Sequence, residues 1–161
     1  MSILRGLISE NVDRHTRDMV TLTATASITS AAHAGRTLLM GEVGGDAAAT
    51  FTLPAATGTG SVFKFVVSVV NTSNYLIKVA DATDTIDGQI MITDADGTDA
   101  SSMVTAAASD TITLNGTTTG GGAIGDYVEV IDIASNQYAV SGMVTCAAGS
   151  NPATMFSATV S

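Results

Sequence analysis

Residues 50–67 read TFTLPAATGTGSVFKFVV, and this stretch decides the fold class. A short apolar run ends at Leu53, a turn rich in Ala, Thr and Gly follows, and a second apolar run begins. In the second run Phe63, Phe65 and Val67 alternate with other residues, which is the two-residue period of a β-strand. The stretch therefore predicts two strands joined by a small-residue turn, as in a β-sandwich or a β-barrel.

The same punctuated pattern continues after residue 20. Over residues 20–28, apolar residues alternate regularly with Thr and Ser, which predicts one long strand. Turn-forming residues separate the later runs, as at Asn115-Gly116 and, in our interpretation, at Asp87-Gly88. The other predicted strands cover residues 36–40, 50–53, 62–70, 76–79, 89–93, 101–105, 111–114, 127–133, 137–145 and 154–160. We therefore expect an all-β body over residues 20–161, a β-sandwich or β-barrel-like fold with antiparallel strands in a jelly-roll or tulip-like order.

The first 19 residues differ from this body in their pattern. Their apolar residues have the spacing of one face of a short helix, and a strongly charged segment follows. A helix this short is marginal by itself, so we expect an extended or short-helical N-terminal arm over residues 1–19 that needs another surface. The arm residues predicted to bind a partner are Ile3, Leu4, Arg5, Leu7, Ile8, Arg14 and Arg17.

The charge of the chain is strongly negative and unevenly distributed. Six basic and 15 acidic residues give a formal net charge of −9, and Lys78 is the last basic residue. Such an acidic body repels phosphate, so we expect no nucleic-acid partner. No run approaches the roughly 20 apolar residues of a membrane span, so we expect no membrane partner. The start of the sequence lacks the apolar core of a signal peptide, which favours synthesis in a cytoplasm.

The composition favours an oligomer. The chain has four Phe, three Tyr and no Trp, and small residues dominate. A core of small side chains gains less from burial, at about 25 cal/mol per Å² of apolar area, and association adds buried area. Strands with two apolar faces can give one face to the core and the other to a neighbour. The residues predicted for this oligomer interface are Phe63, Phe65, Val67, Val69 and Tyr127, and the alternative is a monomer whose own loops cover these strands.

No recognisable catalytic motif is present in the sequence. His15 and His33 lack spaced Cys or carboxylate partners, and no Gly-x-Ser-x-Gly motif or phosphate-binding loop occurs. The single cysteine, Cys146, excludes an intrachain disulfide and a cysteine zinc cluster. We therefore expect no enzyme activity, no cofactor, no metal and no small-molecule substrate.

Two clusters of aspartates are the strongest candidates for chemistry. Carboxylates packed in a turn can offer hard oxygen ligands to Ca²⁺. The spacing is not that of an EF-hand, however, and no Glu closes either loop, so we interpret them as turn residues at strand ends, with a Ca²⁺ site as the alternative. The two clusters are Asp81, Asp84 and Asp87, and Asp94, Asp96 and Asp99.

Several segments resemble the body of capsid decoration proteins, also called cement proteins, of tailed bacteriophages. Besides residues 50–67, these are SITSAAHAGRTLLM (27–40), DTITLNGTTTGG (110–121), GDYVEVIDI (125–133), QYAVSG (137–142) and FSATV (156–160). The resemblance implies a non-enzymatic homotrimer, made in the host cytoplasm and located on the outer capsid surface of the virion. There it would bind major capsid proteins of the mature head and stabilise the contacts between them.

On this hypothesis the arm of residues 1–19 binds the major capsid protein. Its apolar residues would be the anchors, and its arginines would pair with capsid carboxylates. The alternative function is a phage head or tail fibre, or an adhesin domain, that binds host surface glycans. The small number of aromatic residues weakens that alternative, because sugar sites often use aromatic platforms. An enzyme built from paired carboxylates, as in glycosidases, is a third and more remote class.

Overall fold

The computed structural model of the protein describes residues 19–41 and 47–160. In these ranges the chain forms twelve strands and one short helix. No helix in the described ranges has the length and apolar character needed to cross a membrane. The elements are β1 (Met19–Leu22), β2 (Ala26–Ser27), α1 (Ser30–His33), β3 (Thr37–Met40), β4 (Ala49–Thr52), β5 (Val62–Val67), β6 (Tyr75–Lys78), β7 (Thr85–Asp94), β8 (Ala100–Val104), β9 (Thr111–Leu114), β10 (Tyr127–Ala134), β11 (Gln137–Cys146) and β12 (Phe156–Ser157).

The strands form two sheets that pack face to face. The larger sheet has seven strands in the order β1-β3-β5-β10-β11-β7-β8, and the smaller has five in the order β12-β9-β6-β4-β2. The core lies between them: Phe65 of the larger sheet stacks on Phe51 of the smaller at 5.9 Å between ring centroids, and Phe51 stacks on Tyr75 at 6.0 Å. All three rings are fully buried. The predicted all-β, sandwich-like body is confirmed.

Strand direction differs from the prediction, because both sheets are mixed rather than antiparallel. The pairs β1-β3, β3-β5, β7-β11, β2-β4 and β4-β6 are parallel. From β1 to β7 the chain crosses to the other sheet after every strand. Successive strands of one sheet therefore run in the same direction, with a strand of the opposite sheet as the connection between them.

The segment 20–28 forms two short strands instead of the single predicted one. β1 lies at the edge of the seven-stranded sheet, and β2 lies at the edge of the five-stranded sheet. Leu22 and Ile28 are both buried, whereas residues 23–25 between them are exposed. The alternating sequence fits this arrangement because each half still places its apolar side chains toward the core.

The predicted turn at Asp87-Gly88 is also wrong, since both residues lie inside β7. Gly88 has a φ of 145°, and a Cβ atom there would overlap the carbonyl oxygen of Val140 on β11. The glycine is thus required by the close approach of two paired strands rather than by a turn. A strand of ten residues results, and it pairs along its whole length with β11.

Candidate interaction surface

The structure separates the predicted site residues into three groups. The first group, the arm residues Ile3, Leu4, Arg5, Leu7, Ile8, Arg14 and Arg17, lies outside the described residues. The second group, Phe63, Phe65 and Val67, lies in the core, and the third, Val69 and Tyr127, is half-buried. The expected arm therefore stays a prediction.

Phe63, Phe65 and Val67 belong to the core, which corrects their prediction as oligomer contacts. All three side chains are 0% exposed within the subunit. They point toward the five-stranded sheet, where Phe65 meets Phe51. The aromatic face of β5 is the face that gains most from burial, so it is turned toward the subunit's own core. A second copy cannot contact these side chains.

Val69 and Tyr127 are half-buried and have different positions. Val69 follows β5, and its carbonyl oxygen accepts a hydrogen bond from the Tyr75 hydroxyl at 2.8 Å. Its role is therefore partly to complete the core. Tyr127 lies on the outer face of the seven-stranded sheet, where the Lys64 Nζ lies 4.8 Å from the centroid of its ring. This distance allows a cation–π interaction.

An apolar row crosses the outer face of the seven-stranded sheet. Strand register places Leu39 of β3 beside Val66 of β5, Val66 beside Tyr127 of β10, Tyr127 beside Met143 of β11, and Met143 beside Met91 of β7. Met143 is 56% exposed and Met91 is 42% exposed, although both lie on strands inside the sheet. We call these five side chains the apolar row.

A notch lies at one end of the apolar row. It has a volume of about 290 Å³, and Met91, Met143 and Tyr127 line it together with parts of β7, β11 and the 120–126 loop. Ile124, in the same loop and directly before the lining residue Gly125, is 75% exposed. An apolar projection and an apolar recess therefore lie side by side. Exposed apolar groups concentrated in this way are typical of a binding surface.

The outer face of the five-stranded sheet has a different character. Register places Thr50 beside Leu76 and Leu76 beside Thr113. The next row contains Thr52 and Lys78. Hydroxyl groups thus dominate this face, and threonine is a residue that suits a solvated sheet surface. The apolar row is therefore specific to the outer face of the seven-stranded sheet, and among the described residues the outer face of the five-stranded sheet has no equivalent.

A buried carboxylate fixes the loop beside β10. Asp132 is 3% exposed, and its oxygens accept the backbone N–H groups of residues 57–59 at 2.6–3.0 Å and the Thr59 hydroxyl at 2.7 Å. Burial acts to raise the pKa of Asp132, but these hydrogen bonds outweigh burial and lower the pKa below its ordinary value. The ionised side chain is thus the form that holds this loop, which we call the 54–61 loop.

Asp126 plays a similar part beside the notch. Its carboxylate accepts N–H groups of Gly121 at 3.0 Å, Ala123 at 3.4 Å and Thr145 at 2.8 Å. Burial raises the pKa of Asp126 above its ordinary value, and the same hydrogen bonds only partly oppose that effect. The contacts fix the 120–126 loop against β11. Ile124 is therefore held in place at the edge of the apolar row.

Two further buried aspartates hold other parts of the chain. Asp110 accepts the N–H groups of Thr159 at 2.8 Å and Val160 at 3.0 Å, which fixes the last described residues. Asp84 accepts the N–H of Ala56 at 3.2 Å. Burial raises the pKa of Asp84, against the effect of that hydrogen bond. Part of the negative charge of the sequence is therefore used inside the body as acceptors for backbone N–H groups.

The second cluster of aspartates considered as alternative Ca²⁺ ligands is engaged in a turn. Asp94 accepts the N–H groups of Thr98 at 2.9 Å and Asp99 at 3.2 Å, and the Thr98 hydroxyl at 2.9 Å. Desolvation by itself acts to raise the pKa of Asp94. The hydrogen bonds from Asp99 and Thr98, together with a side-chain hydrogen bond to Asp96, outweigh desolvation, so the pKa lies below its ordinary value. In the described ranges no group of three or more His, Cys, Asp or Glu side chains is arranged to hold a metal ion. The turn interpretation fits Asp94, Asp96 and Asp99, but it is wrong for Asp87, which lies inside β7 and accepts a hydrogen bond from the Gln137 side-chain amide at 2.9 Å.

The remaining sequence candidates have structural surroundings. The Nδ1 atom of His33 accepts the N–H of Thr29 at 3.0 Å, across the single turn of α1. Cys146 is fully buried, and its Sγ lies 3.7 Å from the carbonyl oxygen of Ser150. Burial raises the pKa of this thiol, and nearby carboxylates add to the effect.

The outer face of the seven-stranded sheet, with its exposed methionines, is therefore the candidate interaction surface. Sequence reasoning selected Tyr127 but missed Met91, Met143 and Ile124. The signal for both methionines was present, since each occupies an outward position of an alternating strand whose other outward residues are small or polar. Comparisons with family models, with curated proteins and with solved structures find no match for this chain.

Proposed function

We propose that this protein is a bacteriophage capsid decoration protein that binds the outer surface of the mature head and stabilises contacts between major capsid proteins. One observation carries the proposal. The buried carboxylates of the described body hold loops in place, and the outer side of the seven-stranded sheet presents an apolar row. A body with anchored loops and an exposed apolar row, in whose described residues no group of three or more His, Cys, Asp or Glu is arranged to hold a metal ion, supports a structural binding role.

The proposed mechanism assigns capsid binding to the arm. Nineteen extended residues span up to about 60 Å, which is enough to reach a neighbouring capsid subunit. Apolar anchors on such an arm offset the entropy lost when it becomes ordered on binding. In a homotrimer, three arms would act together, and each bound arm would raise the effective concentration of the next. The acidic body would then face solvent.

The proposal is tested by measuring co-sedimentation of this protein with empty phage heads, which are assembled from the major capsid protein of the same phage. Full-length protein with Leu4→Asp and Leu7→Asp places two charges at the apolar anchors. We expect co-sedimentation with heads to weaken at least about tenfold, which corresponds to about 1.4 kcal/mol. Ser2→Asp with Ser9→Asp adds the same charge to the same segment without removing an apolar side chain, and this control should bind as the unchanged protein does.

Two results would contradict the proposal. Failure of the unchanged protein to bind heads would remove the capsid partner, and undiminished binding of the Leu4 and Leu7 variant would remove the arm mechanism. The number of copies in purified particles separates the proposal from the fibre alternative. Hundreds of copies per head are expected for a decoration protein, whereas a handful per particle would favour a fibre or adhesin.

A further inference from the structure

We propose that the outer face of the seven-stranded sheet, centred on the apolar row, is the surface on which a second copy of this chain binds. The inference goes beyond the proposed homotrimer: this face meets the same face of a second copy, so the contact pairs two subunits about a twofold axis and does not by itself close a trimer. It does not depend on capsid binding, so either proposal can fail while the other holds. The oligomer contact is thus assigned to the outward-facing side chains of the apolar row, and no longer to the core residues Phe63 and Phe65.

The size of the face fits a protein partner. The seven strands hold 47 residues, and each residue covers about 3.3 Å along its strand by about 4.8 Å between strands. The face therefore covers on the order of 700 Å², close to the roughly 800 Å² that each partner buries in a stable interface. A small ligand would cover only the notch.

The charge of the face favours a copy of the same chain. The whole chain has a net charge of −9, so two copies repel each other over most of their surfaces. The outward positions of the seven strands carry one basic residue, Lys64, and two acidic ones, Glu129 and Asp87. This face is therefore close to neutral, so two acidic copies approach each other through it at a low electrostatic cost.

Lys64 and Glu129 also make the face self-complementary. Register places them side by side on β5 and β10. The Lys64 ammonium lies over the ring of Tyr127, and Glu129 has no ion pair within the described ranges. In a contact between two copies, the Glu129 carboxylate of each is positioned to meet the Lys64 ammonium of the other. Oppositely charged groups arranged in this way fix the relative orientation of the partners.

The notch and Ile124 supply matching apolar shapes. Ile124 projects from a loop that Asp126 holds in place, and the notch beside it is lined by two methionines. Methionine side chains adapt to irregular partners, so they accept an aliphatic side chain such as that of isoleucine. A second copy brings both a projection and a recess. The same two features on each copy can therefore engage each other.

Cysteine protection tests the surface without disrupting it. Ser141 is exposed in the middle of the proposed interface, and Ser27 is exposed at the edge of the five-stranded sheet. In full-length protein, Ser141→Cys should react with a maleimide at least about tenfold more slowly than Ser27→Cys at concentrations where light scattering gives a multiple of the 16.2 kDa subunit mass. On dilution to the monomer, the two thiols should react at similar rates.

A charge placed in the apolar row tests whether this row contributes to the free energy of association. Met143→Glu adds a carboxylate to an exposed side chain, so it should leave folding intact and raise the dissociation constant of the oligomer at least about tenfold. Leu76→Glu makes the same kind of change on the outer face of the other sheet and should leave the oligomer intact. Circular dichroism and thermal melts of both variants establish that they are folded.

Several outcomes would overturn the inference. A monomer at all concentrations would exclude the second copy, and equal reactivity of the two cysteines within an oligomer would place the contact elsewhere. Protection of the Ser141→Cys thiol only on phage heads would assign the face to the capsid instead. A loss of head binding without a change in oligomer mass concerns only the proposed function and leaves this inference standing.

Discussion

Asp132 and Tyr138 lie directly opposite each other in the β10-β11 pair, and their side chains hold the same loop. The Asp132 carboxylate accepts the N–H groups of residues 57–59, and the Tyr138 hydroxyl donates to the carbonyl oxygen of Pro54 at 2.6 Å. Burial raises the pKa of Tyr138, and nearby carboxylates add to this effect, so the hydroxyl keeps its proton. One pair of neighbouring residues therefore supplies side-chain hydrogen bonds to the 54–61 loop, in addition to the backbone hydrogen bonds of Asp132 with Gly60 and Ser61.

Asp132→Asn should destabilise the body. The asparagine amide has only one acceptor oxygen. Its NH₂ group cannot accept hydrogen bonds from the N–H groups that the second carboxylate oxygen of Asp132 accepts. Hydrogen bonds to a charged group contribute about 1.5–3 kcal/mol, so we expect the free energy of unfolding at pH 7 to fall by about 2–3 kcal/mol. Urea unfolding measures the change. Asp99→Asn makes the same substitution at an exposed position and should change stability by less than about 0.5 kcal/mol.

The buried aspartates predict two opposite contributions to the pH dependence of stability. The pKa of Asp132 is lowered in the folded state, so its contribution is present above its ordinary value of 3.8 and is lost as the pH falls through the folded pKa. The pKa of Asp126 is raised, so its contribution is fully present below 3.8 and is lost as the pH rises through the folded pKa. The pKa of Asp94 is lowered like that of Asp132, so its contribution to stability has the same pH dependence. The pKa of Asp84 is raised like that of Asp126, so its contribution follows the pH dependence of Asp126.

Urea unfolding between pH 2 and pH 7 separates these contributions. Relative to the unchanged protein, Asp132→Asn should lose pH dependence below about 3.8, and Asp126→Asn should lose it above about 3.8. The two differences therefore have opposite signs and fall in different pH windows. A change in the same window for both variants would show that the hydrogen bonds at Asp132 do not outweigh its burial.

Gly88→Ala should be strongly destabilising. The new Cβ would overlap the carbonyl oxygen of Val140, and the residue keeps a φ of 145° that alanine adopts poorly. Overpacking and backbone strain cost about 1–3 kcal/mol each, so we expect a loss of roughly 2–5 kcal/mol. Gly97→Ala is the matched control, because Gly97 has a φ of 74° with open space around it and carries only the conformational cost. Comparable thermal melting temperatures for the two variants would contradict the close approach of β7 and β11.

Alternation along the chain predicted the strands well but not their partners. The period of two places Phe63 and Phe65 on one face of β5 and predicts a strand at residues 111–114 that matches β9. Alternation is the same for parallel and antiparallel pairs, so the mixed sheets were not predictable from it. It also does not reveal which face is inward. For that reason the face carrying Phe63 was assigned to a neighbouring copy, although its large side chains gain more from burial in the core.

Glycine and aspartate each have more than one structural role in this protein. Gly88 marks a close approach of strands, whereas Gly97 marks a turn, and both follow an aspartate in or near an apolar run. Asp132 is surrounded by strand residues, and only the fold brings residues 57–59 to it across more than 70 positions. Long-range hydrogen bonds of this kind leave no local pattern. The loop anchors were therefore beyond sequence reasoning, while the outward methionines were within it.

Calcium should leave the stability of the protein unchanged. The carboxylate of Asp94 already accepts N–H and hydroxyl groups from Thr98 and Asp99, whose positive ends occupy the positions that a cation would need. We expect thermal melting temperatures in Ca²⁺ and in chelator to agree within about 1 °C, since a shift of several degrees corresponds to about 1 kcal/mol. An increase of several degrees in Ca²⁺ would restore the metal-site alternative for this turn.

Cys146 should react with thiol reagents only after the body unfolds. Its side chain is fully buried, and burial raises the pKa of the thiol, so both access and the reactive thiolate are suppressed. At pH 8, labelling of the unchanged protein should be slower than that of the exposed thiol in Ser27→Cys by at least about a hundredfold, and urea should remove the difference. Mass spectrometry counts the labelled sites over time. Rapid labelling of Cys146 without denaturant would mean that the end of β11 opens locally, and that the 120–126 loop and Ile124 are not held as the hydrogen bonds of Asp126 indicate.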